Sequence, residues 1–274
     1  MKIFKVYLKY LQFLFPKMAS RKIFHLISTP RVRKLREHEA HILDQAELTS
    51  IPFQGFKIQN YRWGSHLKKV AFLVHGWEGQ AGNFAALVPV LLEKGYQVIA
   101  FDAPNHGRSS KGKANMFDFR KLVLQQYKIY QPDLIISHSF GSVTTAALFV
   151  KNPELSLAHW LIVTTPIKYL DFLEQVFSFL EVFPRIQEKV IQQVEAQLEE
   201  PIEQLNIAHY CQQIQNIDQV TIVHSKADRV LPIEGSRLAH QQFPQSKLYE
   251  LEDLGHYSIL WSDQLQEILR ARLN

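Results

Sequence analysis

The sequence predicts a single α/β domain in which helices cover a mostly parallel β-sheet, and three observations lead to this prediction. From about residue 53 onward, short apolar runs alternate with longer amphipathic ones, which is the pattern of parallel sheets. The run VAFLVH at 70–75 is continuously apolar, as expected of a strand buried on both faces. The segment 134–149 joins an apolar strand directly to a stretch with helical spacing.

The remaining elements follow from the same patterns. Residues 56–63 alternate between apolar and polar, so we expect an edge strand there. Apolar runs predict further strands at 97–101, 134–136, 160–163, 220–224 and 247–251. Helical spacing predicts helices at 82–94, 117–130 and 258–273.

Residues 166–218 interrupt this alternation. The segment is rich in Gln, Glu, Leu and Phe, shows no strand pattern, and is broken by Pro184 and Pro201. We expect two or three helices inserted between successive strands. Such an insertion above the carboxyl ends of the strands forms a lid in many enzymes, although an elongated crossover helix would give a similar pattern.

Composition limits the class of protein. The chain has 274 residues and a single cysteine, Cys211, which excludes an internal disulfide and a cysteine-based zinc cluster. A reducing, cytoplasmic location is therefore favoured. The formal net charge of +5 hides an asymmetry, because residues 1–36 carry ten Lys and Arg and no acidic residue. The remainder is net acidic, so we expect no nucleic-acid surface on the fold.

The first fifty residues form a basic, amphipathic helical segment that we separate from an α/β domain at 51–274. Lys2, Lys5 and Lys9 lie on one helical face, and apolar residues cover most of the rest. The lysines interrupt any signal-peptide core, and the apolar run is too short to span a membrane. Two interpretations remain open. In the first, residues 1–36 lie on the inner surface of an anionic membrane. In the second, the segment packs on the α/β domain.

The sequence SHSFG at 137–141 predicts a nucleophile. Ser139 lies on the turn between a strand and a helix, which exposes its hydroxyl above the sheet and directs helix N–H groups towards it. Gly141 suits the close approach of helix and strand. The usual motif has a second glycine two residues before the serine, and here Ser137 occupies that position.

An orienting acid and a base follow in the expected order. A serine hydroxyl needs a base that removes its proton and an acid that orients the base. Asp228 comes directly after the strand at 220–225, and His256 lies in the loop after the last strand. We predict Ser139, Asp228 and His256 as the catalytic residues, with Asp171 as the second candidate for the acid.

The oxyanion that develops during acyl transfer needs N–H donors. The glycine-containing loop HGWEG at 75–79 follows a buried strand, and we assign the donors to the backbone amides of Trp77 and Phe140. His75, Asp102 and His106 are predicted to be structural. His138 should point away from Ser139, because adjacent side chains of a strand diverge.

These residues resemble the serine-nucleophile, esterase- and lipase-like branch of the α/β-hydrolase fold superfamily. The resemblance covers roughly residues 53–273 and depends on HGWEG at 75–79, FDAPNHGRS at 101–109, SHSFG at 137–141, Asp228 with Pro232, and His256. It implies an eight-stranded, mostly parallel sheet with helices on both faces and an inserted helical cap. It also implies a serine-hydrolase mechanism without a metal or an organic cofactor.

We therefore expect hydrolysis of a carboxylic ester with a small or medium acyl group through an acyl-enzyme. A serine at the turn between strand and helix excludes the dehalogenases and epoxide hydrolases of this fold, which use aspartate at that position. The alternatives are a thioesterase, an acyltransferase or a membrane-associated lipid hydrolase with the same three residues. A non-catalytic binding protein of this fold is the alternative from another class.

Overall fold

The computed structural model describes residues 2–30, 34–112, 117–198 and 200–273. In this part of the chain, eight strands form one sheet. They are β1 (Glu47–Phe53), β2 (Phe56–Trp63), β3 (Lys69–Val74), β4 (Tyr96–Phe101), β5 (Leu134–His138), β6 (Leu157–Val163), β7 (Ile217–Ser225) and β8 (Lys247–Leu251). Their order across the sheet is β1-β2-β4-β3-β5-β6-β7-β8.

The sheet is parallel from β4 through β3 to β8, whereas β2 pairs antiparallel with both β1 and β4. The helices are α1 (Lys2–Leu14), α2 (Pro16–Ser28), α3 (Glu37–Asp44), α4 (Val88–Glu93), α5 (Asp118–Tyr130), α6 (Phe140–Lys151), α7 (Tyr169–Leu180), α8 (Pro184–Leu198), α9 (Ile207–Cys211), α10 (Glu234–Gln242) and α11 (Asp263–Arg272). The predicted fold class, an eight-stranded, mostly parallel sheet covered by helices, is confirmed.

Two details of the predicted sheet differ from the structure. Strand β2 has the predicted bounds, but it is not an edge strand, because β1 pairs with its residues 56–62. The first six residues of β1 are exposed or half-buried. A strand that faces water lacks the apolar pattern that would have predicted it. The sheet therefore begins at Glu47, before the boundary that we drew at residue 50.

Alternate residues of the central strands enter two separate cores. Phe72 and Val74 face one core and Ala71 and Leu73 the other, which explains why β3 is apolar without interruption. The core that contains Phe72 also receives side chains from α1, α2, α5, α6 and the helices of the insertion. The opposite core includes residues of α3, α4 and α11.

Two predicted helices begin with tighter turns. The segment predicted at 82–94 is a 3₁₀ turn (Ala81–Phe84) followed by α4, and a second 3₁₀ turn (Ser258–Trp261) precedes α11. Pro89 lies in the first turn of α4, where its missing N–H leaves no intrahelical bond unmade.

The inserted segment contains α7, α8, a 3₁₀ turn (Ile202–Gln204) and α9, and among its described residues the sheet resumes only at Ile217, the first residue of β7. The N-terminal helices pack against it, with α2 along α8. Within the described ranges, no helix combines the length and the apolarity needed to cross a bilayer.

Candidate active site

Ser139 lies on the sharp turn between β5 and α6. Its φ of 56° is in the left-handed region, which residues other than glycine rarely adopt. The backbone N–H of Ser139 donates to the carbonyl oxygen of Thr164 at 3.0 Å. The turn is therefore tied to the end of the neighbouring strand β6, and this contact helps to hold the strained residue in place.

The two glycines next to this turn are required by close contacts. A Cβ atom on Gly141 would lie 2.5 Å from the carbonyl oxygen of Val74. A Cβ atom on Gly76 would lie 2.9 Å from the Cβ of Ser139. The turn between β5 and α6 thus rests directly on the backbone at the end of β3, and a side chain at either glycine would displace it.

Ser137, which stands in place of the usual glycine, has its own hydrogen bonds. Its hydroxyl accepts from the indole N–H of Trp160 at 2.8 Å and donates to the hydroxyl of Ser142 at 3.1 Å. Its side chain is fully buried. The position accepts a serine because the hydroxyl is satisfied on both sides.

The three residues predicted to be catalytic lie together. Nε2 of His256 is 3.1 Å from Oγ of Ser139, and Nδ1 of His256 is 2.8 Å from Oδ2 of Asp228. A carboxylate accepts at Nδ1, so Nε2 is free to accept the serine proton. The side chains of His256 and Asp228 are almost completely buried.

Asp228 is held as a carboxylate. Its other oxygen, Oδ1, accepts from the backbone amides of Val230 at 2.8 Å and Leu231 at 3.0 Å. Burial alone would raise the pKa of Asp228, but the imidazoles of His224 and His256 and the backbone amides together lower it well below its usual value. The second candidate acid, Asp171, lies in the first turn of α7, and Asp228 occupies the position next to Nδ1 of His256.

The two predicted oxyanion donors border the same cavity as Ser139. Phe140 is the first residue of α6, so its N–H precedes the first intrahelical hydrogen bond. The rings of Trp77 and Phe140 are 6.3 Å apart. Their role as oxyanion donors remains a prediction, and the helix dipole of α6 would add to it.

Two buried histidines support the loop that carries Trp77. Nε2 of His106 accepts from the backbone N–H of Glu78 at 3.2 Å, and Nε2 of His75 accepts from that of Ala103 at 3.1 Å. In each ring Nδ1 donates to a carbonyl oxygen, of Pro104 and Gly76 respectively. Burial lowers the pKa of His75 to about 4 and that of His106 to about 3. Both rings are therefore neutral near pH 7.

Asp102 is equally structural. Its carboxylate accepts from the hydroxyl of Tyr61 at 2.7 Å and from the backbone amides of Ala81 at 2.9 Å and Arg108 at 2.7 Å. It thus joins β2 to the segments that carry Ala81 and Arg108.

His138 has a contact that sequence reasoning missed. It donates from Nε2 to the backbone oxygen of His256 at 2.8 Å, and the two rings are 4.7 Å apart. Burial lowers its pKa well below the usual value. His138 therefore positions the loop that carries His256. A histidine next to a nucleophile is the only signal in the sequence, and it does not reveal this contact.

A large and mainly apolar cavity opens above Ser139. Its volume is about 980 Å³. Helix α7 supplies Phe172, Val176, Phe179 and Leu180 to the lining, and its residues Leu173, Phe177 and Leu180 are buried in the core. The N-terminal segment supplies another part of the lining, with Phe4, His25, Leu26, Ile27, Thr29 and Pro30. The sequence did not predict that the N-terminal segment borders the site.

Within the part of the chain that the structure describes, no group of three or more His, Cys, Asp or Glu side chains is arranged to hold a metal ion.

Comparison with known families agrees with the observed fold. Residues 72–216, more than half of the chain, match the alpha/beta hydrolase fold family. The chain therefore belongs to the α/β-hydrolase fold family. The matched stretch includes the loop at 75–79 and Ser139 but ends before Asp228 and His256, so the proximity of these two residues to Ser139 is known from the structure.

Individual relatives are distant. The chain is 28% identical over 88 residues to the uncharacterized hydrolase YugF of Bacillus subtilis, covering 30% of this chain and 32% of that protein. It is 27% identical over 125 residues to a human serine hydrolase-like protein, covering 43% of this chain and 61% of that protein. The chain thus aligns with less than two thirds of either relative.

Solved structures show the same fold over a longer stretch. An esterase from Pyrococcus furiosus superimposes with a TM-score of 0.62 at 17% identity, covering 90% of this chain and 97% of the esterase.

Proposed function

We propose that the protein is a serine hydrolase that cleaves a carboxylic ester through an acyl-enzyme. The observation that carries this proposal is the hydrogen-bonded chain from Ser139 through His256 to Asp228 at the base of a cavity. This is the arrangement that makes a serine hydroxyl nucleophilic at neutral pH.

In the proposed acylation step, Oγ of Ser139 attacks the ester carbonyl carbon while its proton passes to Nε2 of His256. The resulting oxyanion accepts hydrogen bonds from the amides of Trp77 and Phe140. Asp228 keeps the imidazole oriented and stabilises its positive charge. The carbon–oxygen bond of the ester then breaks, and His256 returns the proton to the departing alcohol.

In the proposed deacylation step, His256 removes a proton from water, which attacks the acyl carbon. The second tetrahedral intermediate collapses by breaking the bond to Oγ of Ser139, and Oγ recovers the proton. The products are the carboxylic acid and the alcohol, and the three side chains return to their initial state.

The cavity favours an apolar acyl group. Its lining from α7 is aromatic and aliphatic, and its volume of about 980 Å³ is near the upper end of common small-molecule sites. Within the predicted range of small to medium acyl groups, the cavity favours the larger members. In this proposal α7 acts as a lid that shields the acyl-enzyme from water.

The test uses p-nitrophenyl esters of graded chain length and a fluorophosphonate probe. We expect the wild type to react with both, Ser139→Ala to lose both reactions while it remains folded, and Ser178→Ala, at an exposed position of α7, to retain both. Turnover retained by Ser139→Ala, or a wild type that neither turns over esters nor takes the label, contradicts the proposal.

A further inference from the structure

The N-terminal helices expose an apolar face that is unusual for a protein surface. Helix α1 presents Ile3, Val6, Tyr7, Tyr10, Phe13 and Leu14 to solvent, followed by Phe15 and by Met18 of α2. The spacing of three and four residues places the α1 members on one face. Phe13 is 70% exposed and Leu14 is 58% exposed. We name these eight residues the outer face.

The opposite side of α1 packs against the inserted segment. Leu8 and Gln12 are buried, and Gln12 is bonded to the junction of α7 and α8 through the backbone of Glu181 and Phe183. Exposure of the outer face is therefore not the result of a loose helix. A packed helix with an apolar side towards water indicates a surface that binds another phase or molecule.

The outer face continues into the rim of the cavity. Among the described residues, fourteen large apolar side chains are exposed, and only Leu48 and Ile129 lie outside both residues 2–28 and the cavity lining. Nζ of Lys5 lies 4.9 Å from the ring centre of Phe179, which borders the cavity. The rings of Phe4 in the lining and Tyr7 in the outer face are 6.5 Å apart.

Positive charge surrounds this face. Lys9, Lys17, Arg21 and Lys22 are exposed, and residues 1–36 contain ten basic and no acidic residues. Among the described ion pairs, α1 contributes to one, in which Nζ of Lys5 lies 3.3 Å from a carboxylate oxygen of Glu181. Apolar side chains with flanking cations match the acyl boundary and the headgroups of an anionic bilayer.

We propose that the outer face docks on an anionic membrane and that the enzyme takes its ester substrate from that membrane. The second part rests on the proposed function. Immersion of the outer face would bring the rim of the cavity, with Leu26, Phe172 and Phe179, to the bilayer surface. An acyl chain would then pass from the lipid phase to Ser139 without entering water. Transfer of an apolar chain into water is unfavourable, and this route avoids it.

Docking is tested by flotation of the full chain with vesicles of phosphatidylcholine alone or mixed with phosphatidylglycerol. We expect binding to the mixed vesicles that weakens as salt is raised. Phe13→Gln with Leu14→Gln should weaken binding at least about tenfold, since two large apolar side chains no longer enter the bilayer. The matched control, Leu48→Gln with Ile129→Gln, changes similarly exposed residues elsewhere and should bind as the wild type does.

Circular dichroism shows whether the variants fold, and soluble p-nitrophenyl butyrate separates docking from chemistry. The variant at Phe13 and Leu14 should retain turnover of this soluble ester and lose hydrolysis of an ester lipid within vesicles.

Three outcomes overturn docking. They are a wild type that does not float with mixed vesicles, a Phe13 and Leu14 variant that binds as well as wild type, and a concentration-dependent dimer that this variant abolishes. The last would assign the outer face to a second copy of the chain. Vesicle binding without turnover of any ester contradicts the proposed function and leaves docking intact.

Discussion

The indole N–H of Trp160 donates a hydrogen bond of 2.8 Å to the hydroxyl oxygen of Ser137. Both side chains are completely buried, and Ser137 holds the position that is commonly glycine in serine hydrolases of this fold. The serine is therefore a partner that the buried indole requires. Restoring the common glycine should harm this protein.

We predict that Ser137→Gly and Ser137→Ala each reduce the free energy of unfolding by about 1–3 kcal/mol, because the indole N–H is left buried without an acceptor. Urea unfolding measures the change. The control is the same substitution in a Trp160→Phe background, where the loss should be smaller. Equal losses in both backgrounds would show that the Trp160 bond is not the cause.

The close contact at the turn after β5 gives a second prediction. Gly141→Ala places a methyl group 2.5 Å from the carbonyl oxygen of Val74. Either the turn or the end of β3 must move, so we expect a lower thermal unfolding temperature together with loss of ester turnover. Gly255→Ala is the control, since its nearest contact is an ordinary 3.5 Å to Oγ of Ser258. Wild-type stability of Gly141→Ala would contradict the prediction.

The assignment of the acid can be tested with two matched variants. Asp228→Asn removes the charge that orients and stabilises His256, and we expect turnover of a p-nitrophenyl ester to fall by roughly 10³–10⁴-fold, mainly in kcat. Asp171→Asn makes the same chemical change at the second candidate and should leave kcat unchanged. The reverse pattern would assign the acid to Asp171.

Stability should also fall in acid because of His75 and His106. Their pKa values in the folded state, about 4 for His75 and about 3 for His106, lie below the ordinary value of 6.5. Between pH 6.5 and these lower values, the unfolded chain therefore binds more protons than the folded protein does. The stability that they contribute is complete above pH 6.5, is lost as pH falls towards 4 and then 3, and changes no further below that. Protonation of Nε2 would break the bonds to the backbone amides of Ala103 and Glu78.

For His75 alone the expected loss is about 3 kcal/mol. Urea unfolding between pH 7 and pH 4 measures it, and His75→Gln should give a shallower pH dependence than the wild type. Parallel curves for the two proteins would show that His75 does not titrate as predicted.

The contact between α1 and the insertion gives a fifth prediction. Gln12 accepts from the backbone N–H of Phe183 at 2.7 Å and is fully buried. Gln12→Ala leaves that N–H unsatisfied, and we expect faster cleavage of the N-terminal helices in limited proteolysis. Gln213→Ala, an exposed glutamine bonded within its own turn, is the control. Unchanged cleavage of Gln12→Ala would mean that other contacts hold α1.

Most of the sheet was predictable because the central strands, which are buried on both faces, leave a continuous apolar run such as 70–75, and β2 leaves an alternating pattern. The exception is β1, whose exposed residues carry no such run and whose place is decided by pairing with β2. The positions of Ser139, Asp228 and His256 were also predictable, because each lies within a few residues of the end of a predicted strand. The contact between His138 and the backbone of His256 was not, since it joins segments that are 118 positions apart.

The sequence by itself determined the fold class and the order in which a nucleophile, an acid and a histidine follow the strands. These properties depend on local periodicity and on residues adjacent to a strand end. Only the tertiary structure decided that the N-terminal helices border the cavity and leave one apolar face in water. Gln12 and Glu181, which are bonded to each other, are separated by 169 positions. Helix α1 has apolar residues on most sides, and no local pattern shows which of these sides will pack on a distant part of the chain.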